Sequence, residues 1–170
     1  MFWRMTKAVL ILPGAALIYI PILIQCFSDQ WPFGANVGTR LHWAVAAMLA
    51  VPALALAANT MKLFVLEGCG TPAPWDPPQR FVVSGPYRYV RNPMLSSVTL
   101  MILAEAVAMS SPFLLGWAIV FFLLNTLYFK FVEEPGLERR FGEDYLRYKA
   151  KVPRWVPMFR PYEPSGANDN

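Results

Sequence analysis

At 170 residues the chain has room for one domain, and a composition that is 56% hydrophobic and only 15% charged is too oily for an ordinary soluble fold. The net charge of +4 is read as a membrane topology's charge bias plus attraction to anionic lipid heads, not as a nucleic-acid-binding surface. His42 is the only histidine and Cys26 and Cys69 the only cysteines, which excludes a disulfide scaffold and leaves no Cys/His cluster for a metal.

The first apolar run, Ala8 to Phe27, is long, holds Pro13 and Pro21 and lacks a small-residue cleavage site. It reads as a membrane span and not as a cleaved signal peptide. An outer loop from Ser28 to Arg40 carries Trp31, Pro32, Phe33 and Gly34, with Trp43 just inside the next run, as aromatics of an interfacial belt do. Leu41 to Leu66 is the second span, interrupted by Pro52. From Glu67 to Pro93 the character changes: Gly68, Gly70, Pro72, Pro74, Pro77, Pro78 and Pro86 rule out a continuous helix, and Asp76, Gln79, Arg80, Arg88, Arg91 and Asn92 make the segment polar. Pro93 suits the first turn of a third span, Met94 to Ser110, because its missing N–H is not needed there. Ser110 to Phe113 leaves room only for a tight turn before the fourth span, Pro112 to Val132.

Four spans put every Lys and Arg except Arg40 on one side, and basic residues mark the cytoplasmic side, so both termini are expected there. The last two spans form a hairpin that brings Pro93 beside Glu133. That sets the carboxylates of Glu133 and Glu134 opposite Arg88, Arg91 and Asn92, a site carrying both signs of charge at the membrane face. Glu105 and Asn125, polar residues within the spans, are read as structural.

Beyond Glu134 the chain becomes amphipathic. Leu137, Phe141, Tyr145, Tyr148 and Val152 recur at spacings of three and four, predicting a helix over about 135–151 that lies along the membrane surface or caps the bundle, with Gly142 as a break. Trp155 between Pro153 and Pro157 reads as an interfacial anchor. The expected organisation is an all-α integral membrane fold with one domain over 1–157 and a flexible tail over 158–170.

Gly85-Pro86-Tyr87-Arg88-Tyr89-Val90-Arg91-Asn92-Pro93, followed by a helical hairpin and then by Glu133-Glu134, Leu137, Phe141-Gly142, Tyr145, Tyr148 and Val152-Pro153, resembles the isoprenylcysteine carboxyl methyltransferase and phospholipid methyltransferase superfamily in its bacterial form. The resemblance runs from about Gln79 to Pro157. It implies an integral membrane methyltransferase that uses S-adenosyl-L-methionine, with the cofactor pocket between the loop before span three and the helix after span four. By position, Gln79, Arg80, Phe81 and Val82 would line the adenosine through their backbone, with Tyr87 alongside; Asn92, Pro93, Met94, Leu95 and Glu133 would contact cofactor. Arg91 and Glu134 complete the motifs as the catalytic pair, and Glu134 would take the proton from an amine acceptor.

The departures from the family pattern bear on chemistry. Asn92 stands where a histidine is common and keeps a hydrogen-bonding amide. Leu95 replaces an aromatic and Ser97 a glycine. Phe129 stands where eukaryotic prenylcysteine enzymes carry an arginine that contacts the acceptor, with Lys130 next door as the substitute on the substrate side. The partners implied are the lipid bilayer and a lipid or lipophilic acceptor, in a multi-pass protein of the bacterial inner membrane, without metal or nucleic acid. Two other readings stand beside this one: an NAD(P)H-dependent membrane reductase of the sterol-reductase-like type, and a lipid-binding membrane protein without catalysis.

Overall fold

The structure is a computed structural model that describes Trp3 and residues 11–28, 40–68 and 79–163. The expectations for Arg4 and Lys7, for the aromatic outer loop with Trp31 and Phe33, for Cys69, Gly70, Asp76 and the prolines from Pro72 to Pro78, and for the chain after Glu163 lie outside the described residues. Among those residues the chain is all helical. We number the helices α1 (Ile11–Phe27), α2 (Arg40–Leu66), α3 (Pro93–Ala108), α4 (Pro112–Tyr128) and α5 (Glu134–Lys151), with a short 3₁₀ turn at Gly85–Arg88. Helix α4 runs into α5 through a π turn at Phe129–Glu133, so that the chain stays helical from Pro112 to a kink at Gly142 within α5.

Two helices, Arg40–Leu66 and Pro112–Lys151, are long and apolar enough to cross a membrane. Helices α1 and α3 are shorter and also apolar. Helix α3 packs between α2 and α4, and α1 lies against α3 and α4. The seam is built from small and branched side chains: Ala16, Val98, Ile102 and Ala118 form a buried cluster, with Leu17, Met101, Trp117 and Phe121 around it. Large apolar residues point the other way. Ile22 and Leu23 on α1, Val51 and Leu54 on α2, and Ile119, Leu123, Leu124 and Leu127 on α4 are all exposed, the surface that a hydrocarbon environment would cover.

Helix α1 also holds a π turn, Ala15–Tyr19; both π turns end two residues before a proline, and the physical reason is the same. Proline lacks an N–H and crowds the carbonyl four residues earlier, so the helix widens ahead of it. In α1 the Ile20 N–H donates to Ala15 O, and Pro21 follows with no donor. Ala16 O is left for a side chain, and the Trp117 indole N–H of α4 donates to it at 3.0 Å. The second π turn repeats the arrangement: Glu134 N–H donates to Phe129 O and Pro135 follows. This turn sets the direction in which the two glutamates leave the helix.

The expected hairpin is present. Ser110 turns the chain at φ 49°, and Ser111 caps α4 by accepting from Leu114 N–H at 3.4 Å. The Ser111 hydroxyl also donates to Gln25 Oε1 at 3.1 Å, and Gln25 Nε2 reaches Met109 Sδ at 3.3 Å, which ties α1 to the turn. Asn125 is satisfied by its own helix, Nδ2 donating to Phe121 O at 2.8 Å. Glu105 is half-buried on α3, and its Oε2 has no partner among the described residues.

Helix α5 caps the hairpin, and its break falls at Gly142, the two outcomes that its sequence allows; the periodicity does not give the direction of the second arm. Gly142 sits at φ 54°, ψ −130°, and the helix folds back there into two arms. Tyr145, Tyr148 and Val152 on the second arm and Leu137 and Phe141 on the first close around Phe81 and Val83 from the loop before α3. Phe81 is the wedge: its ring stacks on Phe141 at 5.2 Å and meets the edges of Tyr145 at 5.8 Å and Tyr148 at 5.2 Å. The apolar stripe is therefore spent on an internal aromatic core that caps the hairpin. The chain continues packed beyond Pro157: Met158 N–H donates to Tyr89 O at 3.0 Å, and Tyr162 is buried against Tyr148.

Candidate active site

The hairpin joins segments 43 residues apart in sequence, with Arg91 Nη1 donating to Glu134 Oε1 at 2.9 Å. Glu134 is only 2% exposed, and two further cations hold it. Arg154 grips it with a fork, Nε to Oε1 at 2.8 Å and Nη2 to Oε2 at 2.9 Å, and Lys149 Nζ lies 3.3 Å from Oε2. Burial by itself would raise the Glu134 pKa, but the hydrogen bonds from Arg154 and the charges of Arg91 and Arg154 hold it below the ordinary carboxylate value. Both oxygens of this carboxylate are thus engaged by donors that keep it ionised.

Its neighbour Glu133 behaves oppositely. It ends the π turn half-buried, and its pKa is raised, chiefly by burial, with Arg140 pulling the other way. Glu133 also bears electrostatically on Tyr87, whose hydroxyl is pushed up by its own burial first, then by Tyr148 and Glu133. The π turn thus sends adjacent carboxylates into different surroundings, Glu134 into the cation cluster and Glu133 into a half-buried position where Arg140 is the cation that acts on it.

The loop that faces them is pinned at both ends. Gly68 O accepts from Gln79 N–H at 2.8 Å and Arg80 N–H at 3.3 Å, while the Ser84 hydroxyl donates to Glu67. The side chains of Gln79 and Arg80 are exposed, Phe81 is the aromatic wedge, and Val82 is buried. Gly85 turns at φ 52°, and a Cβ there would come within 3.0 Å of Leu63 Cδ1, so the loop approaches α2 as closely as it can. Tyr87 packs edge-on against Phe64 at 5.7 Å, and its carbonyl accepts from the Tyr148 hydroxyl at 2.7 Å.

Arg91 and Asn92 lead into α3. Arg91 Nε and Asn92 Nδ2 are buried donors without a partner among the described residues, and Asn92 is 5% exposed. Unpaired buried donors are costly, so this pair suits an acceptor-bearing ligand. Tyr145 adds a hydroxyl beside them; burial and then Glu134 push its pKa to about 12, against a hydrogen bond from Arg91. Pro93 is fully buried at the start of α3, and Met94 and Leu95 are half-buried behind it. Ser97, in the glycine position of the motif, fits because its hydroxyl donates to Met94 O at 2.6 Å.

Three expected members stand apart from the cluster. Arg88 turns away from the glutamates to donate through Nε to Tyr162 O at 2.8 Å and to lie 3.6 Å from Glu163. Phe129 packs on Tyr128 at 6.2 Å on the π turn, and the Lys130 ammonium lies 5.3 Å over the exposed Phe131 ring. Conversely, Lys149, Arg154 and Glu138 were not expected. Lys149 pairs with Glu138 at 2.5 Å as well as with Glu134, contacts that exist only because Gly142 folds the helix back. No spacing in the sequence signals them; the one available cue is that Arg154 follows Pro153 at the end of the motif-bearing stretch.

Comparison with known proteins adds one positive finding. No curated protein and no solved structure matches the chain. A family match covers residues 41–144, which takes in α2, the polar loop, the hairpin, both glutamates and the first arm of α5. With more than half of its length matched, and with the hairpin, the loop and the paired glutamates inside that stretch, the chain belongs to the phospholipid methyltransferase family.

Proposed function

We propose that the chain is an S-adenosylmethionine-dependent methyltransferase acting on a lipid or lipophilic acceptor at the cytoplasmic membrane face. The observation that carries this reading is the pair of buried donors without a partner among the described residues, Arg91 Nε and Asn92 Nδ2, on an Arg91 head that Glu134 holds at 2.9 Å. An amino-acid end needs acceptors for its ammonium and donors for its carboxylate, and Glu133 and Arg91–Asn92 supply one of each. S-adenosylmethionine supplies a methyl group on a sulfonium, which is already electrophilic. The chain's task is then to orient and to exclude water, not to form a covalent intermediate. In this reading Arg91 and Asn92 donate to the carboxylate, Glu133 accepts from the ammonium, and the backbone of Gln79 to Val82 with Tyr87 lines the adenosine. Glu134 sets Arg91; its oxygens are engaged and its pKa is depressed, which suits positioning better than taking a proton.

The reading includes four spans, 8–27, 41–66, 94–110 and 112–132, with both termini cytoplasmic and the acceptor entering from the bilayer between helices. In a chain with Cys26 and Cys69 changed to serine, an impermeant thiol reagent should label Ser110→Cys from outside the cell and leave Glu143→Cys unlabelled. For the chemistry, the purified protein in detergent should be stabilised against heat by millimolar S-adenosylhomocysteine, unmoved by NADPH, and unresponsive once Glu133→Ala is made. A folded sample that shows no shift with S-adenosylhomocysteine would overturn the proposal.

A further inference from the structure

We infer that residues 152–163 form a clasp over the site and that Arg154 is its positioning residue, setting Arg91 through Glu134. The inference rests on the reading above, and it concerns a segment that begins after the family match ends at residue 144. The clasp lies against the loop before α3 in an antiparallel sense. Arg91 N–H donates to Pro153 O at 3.0 Å, Met158 N–H to Tyr89 O at 3.0 Å, and Tyr162 N–H to Arg88 O at 2.8 Å. Arg88 Nε returns a fourth bond to Tyr162 O at 2.8 Å. The clasp is anchored at its other face by Trp155, which packs on Phe122 of α4 at 4.8 Å. It therefore touches both the loop that leads into α3 and helix α4.

Within this frame Arg91 is held twice by the same twelve residues. Its backbone donates to Pro153, and its guanidinium shares Glu134 Oε1 with Arg154 Nε. The Arg154 fork needs both Glu134 oxygens in one plane, because its two N–H groups are rigidly spaced. That plane fixes where Oε1 stands, and Oε1 fixes the Arg91 head. Without Arg154 the carboxylate can swing toward Lys149, which sits on Oε2 at 3.3 Å, and the unpartnered Arg91 Nε would turn with it. A lysine at position 154 would keep the charge and lose the fork.

The test compares two nucleosides on the full chain in detergent: S-adenosylhomocysteine, which carries the amino-acid end, and 5′-methylthioadenosine, which lacks it. Wild type should bind both. Arg154→Ala should weaken S-adenosylhomocysteine by on the order of tenfold or more, the loss expected when a charged hydrogen bond is misdirected, and leave methylthioadenosine unchanged; Arg154→Lys should fall between. Unliganded melting and a monodisperse elution profile establish folding, and Arg154→Lys decides the matter where Arg154→Ala does not fold. Equal weakening of both nucleosides, unchanged binding of both, or misfolding of both variants overturns the clasp and leaves Arg154 a structural residue. Failure of wild type to bind S-adenosylhomocysteine overturns the methyltransferase reading instead.

Discussion

Lys149 Nζ lies 2.5 Å from Glu138 Oε1, although the two residues are eleven positions apart on one helix. A straight α-helix would hold them about 16 Å apart along its axis. The contact is possible because Gly142, at φ 54°, reverses the helix, and the reversal is what delivers Lys149 and Arg154 to Glu134. Gly142→Ala should therefore lower stability by about 1–3 kcal/mol, the usual cost of a backbone conformation that only glycine adopts easily. Gly136→Ala is the matched control: it lies on the first arm with nothing within 4 Å of an added Cβ, and should gain up to about 1 kcal/mol of helix propensity. Thermal melts of both variants in the same detergent check the pair. Equal melting temperatures would remove the reversal from the account.

Glu134 makes the fold pH-dependent in one direction. Its folded pKa is depressed, chiefly by Arg154 and Arg91 acting against burial, so its contribution is present above the ordinary carboxylate value and is lost as pH falls through the depressed one. Glu134→Gln leaves three cations facing a neutral amide and should cost about 3–5 kcal/mol at neutral pH. The gap in melting temperature between wild type and Glu134→Gln should narrow as the solution is taken from neutral into the acid range below the ordinary carboxylate pKa. A gap that stays constant throughout would mean that the carboxylate's charge is not what the cluster uses.

Glu133 runs the other way. Burial raises its pKa, so the fold favours its protonated form, and that stabilisation is present below the ordinary carboxylate value and fades as pH rises through the raised one. Ligand binding should show the opposite trend, because only the ionised carboxylate can receive an ammonium. Affinity for S-adenosylhomocysteine should climb as pH rises through the raised Glu133 value, and Glu133→Gln should flatten that climb. Isothermal titration at a series of pH values reads it directly; a climb that persists in Glu133→Gln belongs to another group.

At the opposite end of the hairpin, Ser111 serves two helices at once. Ser111→Ala removes a cap, about 1 kcal/mol, and strands the buried Gln25 Oε1 that its hydroxyl reaches at 3.1 Å, about 1–3 kcal/mol more. Adding Gln25→Leu should recover part of that loss, because both polar partners are then gone. Additive losses in the double variant would show that the two side chains do not couple.

The sequence and the structure agree where a single local rule decides. Hydropathy marks α2 and α4, Pro93 marks the start of α3, and the residues Ser110 to Phe113 leave no room for anything but a turn, from which the meeting of Arg91 and Glu134 follows. The folding back of α5 was less legible, since Leu137, Phe141, Tyr145, Tyr148 and Val152 keep their helical period across Gly142. A stripe that would face one side of a straight helix lines the inside of a bent one equally well. Arg88 was expected at the glutamates because it is a cation in the right loop, but the Tyr162 carbonyl claims it. Arg154 had no periodic relation to Glu134, and only the route of the chain after Val152 brings them together.

The chain leaves α2 and re-enters the site at one atom, Gly68 O, which accepts from Gln79 and Arg80 together. The end of α2 and the start of the loop that carries Phe81, Tyr87 and Arg91 therefore share a single post. A substitution that moves the last turn of α2 is felt at the site through that one carbonyl, before any side chain of the cation cluster is touched.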